Sequence, residues 1–394
     1  MARRKASGTK RPPTGPGRKK AGFLPFARPT IDARTIAAVG TVLRSGWIAS
    51  GPKVKALESA LSRYLGGRPV RTFTSATGAL EVALQVCGIG PGDEVIVPAM
   101  TFAATANVVV RVGAKPVFVD VELSTRNIDV AQAENAVTTR TRAVMPVHFS
   151  GLPVAMNGLY DLARRHELRV VEDAAHAIGT SYRGQRIGSF GDLVAFSFHP
   201  NKNMTTIEGG ALSFANPEEV EATEQLRFHG IAPGPQGEMD VLSAGGKFNL
   251  SDVAACIGLE QLPRLEGFNR QRRKLVARYF KRLRTNSALL LPERGDSGHS
   301  WHMFAPLLQL EQLRIGRSEF IARMRDLGIG VGVHYPALHL FSFYRQLGYR
   351  PGQFPNAERI GRSTVTLPLF PSMTLNDVDR VCEACTRILA ETRR

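Results

Sequence analysis

Acid, cysteine, tryptophan and long apolar runs are all scarce in this 394-residue chain. Its four cysteines (Cys87, Cys256, Cys382, Cys385) are too few for a disulfide-stapled scaffold. No apolar run approaches the roughly 18–20 residues of a membrane helix, so no transmembrane helix is expected. No G-x-G-x-x-G opens a strand-to-helix turn, which leaves a dinucleotide cofactor without support. The pairs His299/His302 and His334/His339 lack carboxylates at ligand spacing, and no metal site is expected. Acids number 34 against 51 Lys and Arg, for a formal +17 and a pI near 10.2. Such a surplus suggests nucleic acid until it is located. Residues 1–22 hold eight basic side chains and no acid, so the other 372 residues carry +9 of the +17. That tail is rich in Lys, Arg, Gly and Pro and cannot build a core, so it reads as disordered. Arg3-Arg4 is followed by no apolar stretch before Pro25, so an export signal is not expected and the cytoplasm is the expected compartment.

What remains has an ordinary globular composition, 43% hydrophobic and 22% charged, and is long enough for two or three domains. Cys382 and Cys385 form a CxxC, but Val378, Val381, Cys382, Cys385 and Leu389 follow helical spacing, and Thr374–Asp377 resembles a capped helix start. Core packing is the better reading of these cysteines. Short apolar runs at Glu94–Val97, Pro116–Val121, Ala143–Val147, Arg169–Glu172, Leu193–Phe198 and Gly210–Phe214 alternate with helical patterns near Gly78–Val86, Ala103–Val112, Val130–Val137 and Leu159–His166. Val54, Leu57, Leu61 and Leu65 mark an earlier helix. Strands buried on both faces and spaced by helices imply an α/β fold with a mostly parallel sheet. The basic stretch Arg270–Arg284 also carries Leu275, Val276, Tyr279, Phe280 and Leu283, and reads as a solvated amphipathic helix. Trp301–Leu310, Gly330–Tyr335 and Thr364–Leu367 look like strands of a smaller C-terminal domain.

In open α/β sheets ligands gather at the carboxyl ends of the strands. Ser75-Ala76-Thr77-Gly78 precedes a helix whose free N–H groups suit a phosphate, although a plain N-cap would look the same. The strand Val170-Val171-Glu172 runs into Asp173-Ala174-Ala175-His176. Phe196-Ser197-Phe198 runs into His199-Pro200-Asn201-Lys202. A lysine 29 residues after an acid, each just past an apolar strand, suits pyridoxal 5'-phosphate (PLP). The amine forms a Schiff base with it, and the carboxylate keeps the pyridine nitrogen protonated.

The segments SATGAL, VEDAAHAIGT, SFHPNKNMTTIEGGAL, GGKFNLSDVAACIGLEQL and LPLFPSMT resemble the DegT/StrS-type nucleotide-sugar aminotransferases from Phe23 to about residue 390. Within that family, FLPFARP, SGWIASGPK, HSWHMF and the GKFN block are most similar to UDP-4-amino-4-deoxy-L-arabinose aminotransferases. The resemblance implies the type I, aspartate-aminotransferase-like PLP fold, with residues 23–268 as the large PLP-binding domain and 269–394 as the small one. It implies Lys202 as Schiff-base lysine and proton carrier, Asp173 as partner of the pyridine nitrogen, and Ala76, Thr77 and Ser197 as phosphate ligands. Phe102 would stack on the ring, where many relatives have Trp or Tyr, and His176 would sit beside the ring hydroxyl. Asn249 would reach the phosphate of the neighbouring subunit, which makes a homodimer with shared sites a requirement. Gly246 stands where an aromatic is more usual. Trp47, Lys247, His334 and His339 lie in segments that line the sugar-nucleotide cleft of relatives. The implied reaction passes the amine of glutamate, released as 2-oxoglutarate, to a UDP- or dTDP-linked 4-keto sugar, for lipopolysaccharide or related sugars. The alternatives are amination of a 3-keto sugar, a PLP-dependent sugar dehydratase, in which histidine replaces the lysine retained here, or a noncatalytic regulator or nucleic-acid binder.

Overall fold

The computed structural model describes residues 22–394. The tail expected to be disordered therefore lies outside the described residues, apart from Gly22. Helices α1 (Ala33–Ser45) and α2 (Pro52–Tyr64) lead into strand β1 (Val70–Phe73) and helix α3 (Ala76–Val86). Strand and helix then alternate through β2 (Glu94–Pro98), α4 (Ala103–Arg111), β3 (Lys115–Val119), α5 (Val130–Asn135), β4 (Thr141–Val144), α6 (Met156–Arg165) and β5 (Arg169–Asp173). A two-residue hairpin, β6 (Ser181–Tyr182) with β7 (Gln185–Arg186), precedes β8 (Leu193–Ser197) and β9 (Gly210–Phe214). The seven strands of the main sheet lie in the order β1-β9-β8-β5-β4-β2-β3. All neighbouring pairs are parallel except β1–β9 and β9–β8, so β9 alone runs against the rest.

The strands are apolar throughout because both faces are covered. Alternate residues divide between two cores: Val95, Val97, Val171 and Leu193 pack with Leu80, Val108 and Phe149, whereas Ile96, Val170, Val194 and Phe196 pack with Leu57, Leu61 and Leu159. That is the period-two geometry of a strand sandwiched between helical layers. Each fully buried Leu, Val or Phe contributes about 1.5–3 kcal/mol.

After β9 the chain continues through α7 (Glu219–Leu226), α8 (Asp252–Gln261) and the long basic α9 (Leu265–Leu283). Leu275, Val276, Tyr279, Phe280 and Leu283 of α9 point into a third core, which also holds Trp301, Phe304, Phe320, Val381 and Leu24. Helices α10 (Arg317–Asp326), α11 (Ser342–Gln346), α12 (Pro355–Ser363) and α13 (Leu375–Glu391) complete the chain. Cys382 and Cys385 are buried on α13, whose start is a capping box of Thr374 and Asp377.

Two expectations need correction. Strand β4 lies two to three residues earlier than Ala143–Val147. The strands expected at Trp301–Leu310, Gly330–Tyr335 and Thr364–Leu367 meet only at single bridges (Phe304 with Leu367, Leu307 with Thr364, Gly332 with Thr366), and the regular pairing there is Leu289–Leu290 with Leu307–Leu308. Pro306 and Pro368 lack the N–H that a continuous ladder needs. Among the described residues no helix is long and apolar enough to cross a membrane.

Candidate active site

Two helix starts and two strand ends enclose a cavity of about 450 Å³. The first helix start is that of α3. Ser75 caps it, its hydroxyl accepting from the Gly78 N–H at 3.1 Å. The earlier N–H groups of Ala76 and Thr77 have no partner within the helix and stand at its positive end. Gly210, the first residue of β9, lies against this turn, where a Cβ would come within 2.4 Å of the Ala76 nitrogen. Only a bare backbone fits there, and it leaves a small cup rimmed by Ser75, Ala76, Thr77 and Ser197, all of which line the cavity.

The opposite wall carries the charge chemistry. Asp173 ends β5 and is buried, with Oδ2 accepting from the Thr105 hydroxyl at 2.7 Å and Oδ1 from the Ala175 N–H at 3.1 Å. Lys202 sits in the turn after β8. Burial pushes its ammonium down from 10.5 to about 8, against the opposing pull of Asp173. A useful fraction of this amine is therefore neutral near pH 7 to 8.

Imidazoles crowd the same place. His176 is buried, its Nδ1 accepting from the Ser150 N–H at 3.3 Å, which leaves the ring proton on Nε2, 3.3 Å from the Tyr335 hydroxyl. Burial, then the nearby charges of Lys202 and His334, hold His176 well below the usual histidine range, so it is neutral. His302 stacks beneath it with centroids 4.4 Å apart. His334 donates to or accepts from the Thr366 hydroxyl at 2.7 Å, and burial followed by Lys202 lowers it to about 4. Phe102 caps α4 and stays 58% exposed, its ring 5.7 Å from that of Tyr335 across the cavity mouth.

The cavity thus gathers Ala76, Thr77, Phe102, Asp173, His176, Ser197, Lys202 and His334 from the residues expected in the site. Four others stand elsewhere. Trp47 is 59% exposed and directs its indole N–H to the Ser50 carbonyl. The Lys247 ammonium meets the side chain of Asn249, whose amide in turn donates to the Ser50 hydroxyl. These three residues form one outer cluster that does not line the cavity of their own chain. His339 is a correction. It is fully buried, its Nε2 3.0 Å from Glu358, with Phe354 edge-on at 4.8 Å, so no surface remains to meet a sugar. Gly246 has a local reason: a Cβ there would lie 2.2 Å from the Phe248 ring, which instead folds against Gly78.

Thr105, Tyr335, His199 and Glu208 belong to this site or its wall; the motifs gave none of them a role, although His199 and Glu208 lie within SFHPNKNMTTIEGGAL. Thr105 carried the clearest signal, since Thr101 and Thr105 stand four residues apart across the helix start after β2. The donor set suits PLP. A helix start with free N–H groups and a side-chain hydroxyl suit a phosphate, a buried acid suits a pyridinium, and an amine with a lowered pKa lines the same cavity.

The DegT/DnrJ/EryC1/StrS aminotransferase family matches residues 29–386. The spore coat polysaccharide biosynthesis protein SpsC of Bacillus subtilis is 40% identical over 384 residues, 94% of this chain and 98% of the relative. A solved structure described as a sugar aminotransferase, Spr1654 of Streptococcus pneumoniae in its PMP form, superposes with a TM-score of 0.89. It is 33% identical and covers 94% of this chain and 98% of its own. The same protein was also solved in its PLP form. Helicobacter pylori PseC, an aminotransferase involved in pseudoaminic acid biosynthesis, is 26% identical with a TM-score of 0.88 over 94% of this chain and all of its own.

Proposed function

The chain belongs to the DegT/DnrJ/EryC1/StrS aminotransferase family and is a PLP-dependent sugar aminotransferase; on that premise we propose that it passes the amine of glutamate to a nucleotide-linked 4-keto sugar, UDP- or dTDP-borne, in cell-surface polysaccharide or lipid A sugar biosynthesis. The observation that carries this reading is the meeting of Lys202, Asp173 and the α3 start in one cavity. The polysaccharide context is supported by the 40% identity to SpsC. The +9 of residues 23–394 suits two anionic substrates and a phosphate.

PLP, when bound, supplies the carbonyl that takes up the amine and a ring that delocalises the electron pair released at the substrate carbon. The residues do the rest. The N–H groups of Ala76 and Thr77, with the Ser197 hydroxyl, would hold the phosphate. Asp173 would hold the proton on the ring nitrogen, Phe102 would cover one ring face, and neutral His176 would present its Nε2–H to the ring oxygen. Lys202 Nζ, with its lowered pKa, accepts and returns a proton near neutral pH, as a general base and acid must. A homodimer fits the placement of Trp47, Lys247 and Asn249, which face away from their own cavity and would complete that of a second copy.

The decisive experiment offers a panel of UDP- and dTDP-linked keto sugars with glutamate and scores amino-sugar formation. Amination of a 4-keto sugar is expected. Turnover of 3-keto sugars alone overturns the regiochemistry, and undiminished turnover by Lys202→Ala overturns the site, since proton transfer by a placed side chain is worth about 10²–10⁴-fold.

A further inference from the structure

Asp173 has a support that the family resemblance did not assign. Ionised, it is an acceptor only, so the 2.7 Å contact to Oδ2 must be a donation from the Thr105 hydroxyl. Thr105 has then spent its single proton. Its oxygen lies 3.0 Å from that of Thr101, and with its own proton committed it accepts from Thr101 there. Thr101, Thr105 and Asp173 are all buried. The donor and acceptor inventory therefore orders the chain from Thr101 to Thr105 to Asp173.

The second support, the Ala175 N–H, reaches Oδ1. One donor on each oxygen holds the carboxylate plane still and leaves a lone pair of each oxygen free. The two donors differ in origin. Ala175 belongs to the turn of Asp173 itself, whereas Thr105 lies in the first turn of α4, 68 residues away. The Thr105 N–H is bonded to the carbonyl of Phe102 at 3.2 Å. The same helical turn therefore presents the aromatic face of Phe102 to the cavity and the hydroxyl of Thr105 to the acid.

We propose that Thr105 is a positioning residue for the ring-nitrogen contact, orienting Asp173, with Thr101 as its own donor. The inference rests on reading Asp173 as the partner of the PLP ring nitrogen. Without the Thr105 donor, the carboxylate plane is held from one side only, by the Ala175 N–H.

The test is the affinity of the cofactor-free protein for PLP, measured by equilibrium dialysis, together with the visible band of the bound cofactor. Thr105→Val removes the hydroxyl, and PLP should bind about tenfold more weakly, since hydrogen bonds to charged groups are worth that much or more. Thr105→Ser restores the donor and should return within about twofold of the parent, with its visible band. Thr101→Val removes only the outer donor and should weaken binding in the same direction but less. In an Asp173→Asn background the Thr105→Val loss should shrink below about twofold, because the ionised acceptor is gone. Unchanged PLP affinity in Thr105→Val, failure of Thr105→Ser to rescue, or an equal loss in both backgrounds overturns the proposal. Should Thr105→Val fail to fold, Thr101→Val and Thr105→Ser carry the decision: undiminished affinity in the first or loss in the second overturns it. If Asp173→Asn itself binds PLP as tightly as the parent, the reading of Asp173 fails, and that failure is distinguishable from the others.

Discussion

Replacing the lysine with a neutral side chain of similar length should make the cofactor-free protein more stable while abolishing turnover. Burial lowers Lys202 from 10.5 to about 8, net of the attraction of Asp173. At 1.36 kcal/mol per pH unit, the 2.5-unit gap makes the folded chain about 3 kcal/mol less stable when the amine is charged than when it is neutral. The folded pKa lies below the unfolded one, so this penalty is complete below pH 8. It falls linearly as pH rises from 8 to 10.5, and it is absent above 10.5. Lys202→Met mimics the neutral amine at every pH. Urea unfolding of the cofactor-free proteins, at fixed protein concentration, should therefore show Lys202→Met more stable by about 3 kcal/mol at pH 7 and by about 1.4 kcal/mol at pH 9.5. PLP must be absent, because a ligand bound only to the folded state would mask the difference. A variant less stable than the parent at pH 7, or a difference that does not shrink with pH, refutes the placement of this amine where burial outweighs the attraction of Asp173.

Two further outcomes follow from the burial of particular groups. His339→Leu should lower stability by about 1–3 kcal/mol, because it strips a hydrogen bond from buried Glu358. It should leave the KM for the sugar unchanged; a raised KM in folded protein would return His339 to the cleft. Glu94 is the acid counterpart of Lys202: burial alone would raise it, yet hydrogen bonds from Thr138, Arg140 and Lys115 hold it at about 2. Its folded pKa lies below 4.5, so its contribution is present above pH 4.5 and is lost as pH falls towards 2. Glu94→Gln should flatten the acid limb of the stability curve across that window in urea titrations, and an unaltered limb would show that the ion cluster is not responsible.

The α/β alternation was legible because strands covered on both faces leave unbroken apolar runs, as Leu193–Phe198 and Gly210–Phe214 do. Strand β1 escaped notice for the opposite reason. It is an edge strand paired only to β9, and its four residues include Arg71, which faces an ion pair with Glu224. The irregular pairing around Pro306 could not be read from β-branched residues alone, since a bridge and a ladder share composition. In the site, Lys202 and Asp173 stood out because a charged residue directly after an apolar strand has few reasons to be there. Thr105 did not, because it acts through another side chain and a threonine in a first helical turn has many ordinary uses. His339 misled for a related reason: its position in a cleft-forming segment was visible, but its partner Glu358 lies 19 residues further on, on α12.

The sheet order explains why these separated residues meet at all. Ser197 and Asp173 end the adjacent parallel strands β8 and β5, so their side chains emerge at one edge of the sheet. The phosphate-type cup, however, follows β1, which is separated from β8 by β9. Because β9 runs backwards, its first residue rather than its last lies at that edge, and Gly210 is that residue. A side chain there would collide with the α3 start, at 2.4 Å from the Ala76 nitrogen. A reversed strand opening on glycine is thus what allows the helix start after β1 to close on the strand ends of β8 and β5. The Asp173–Lys202 pair and the anion-binding helix start share one cavity because of a residue with no side chain, and no chemistry-bearing residue of the site would have revealed that requirement.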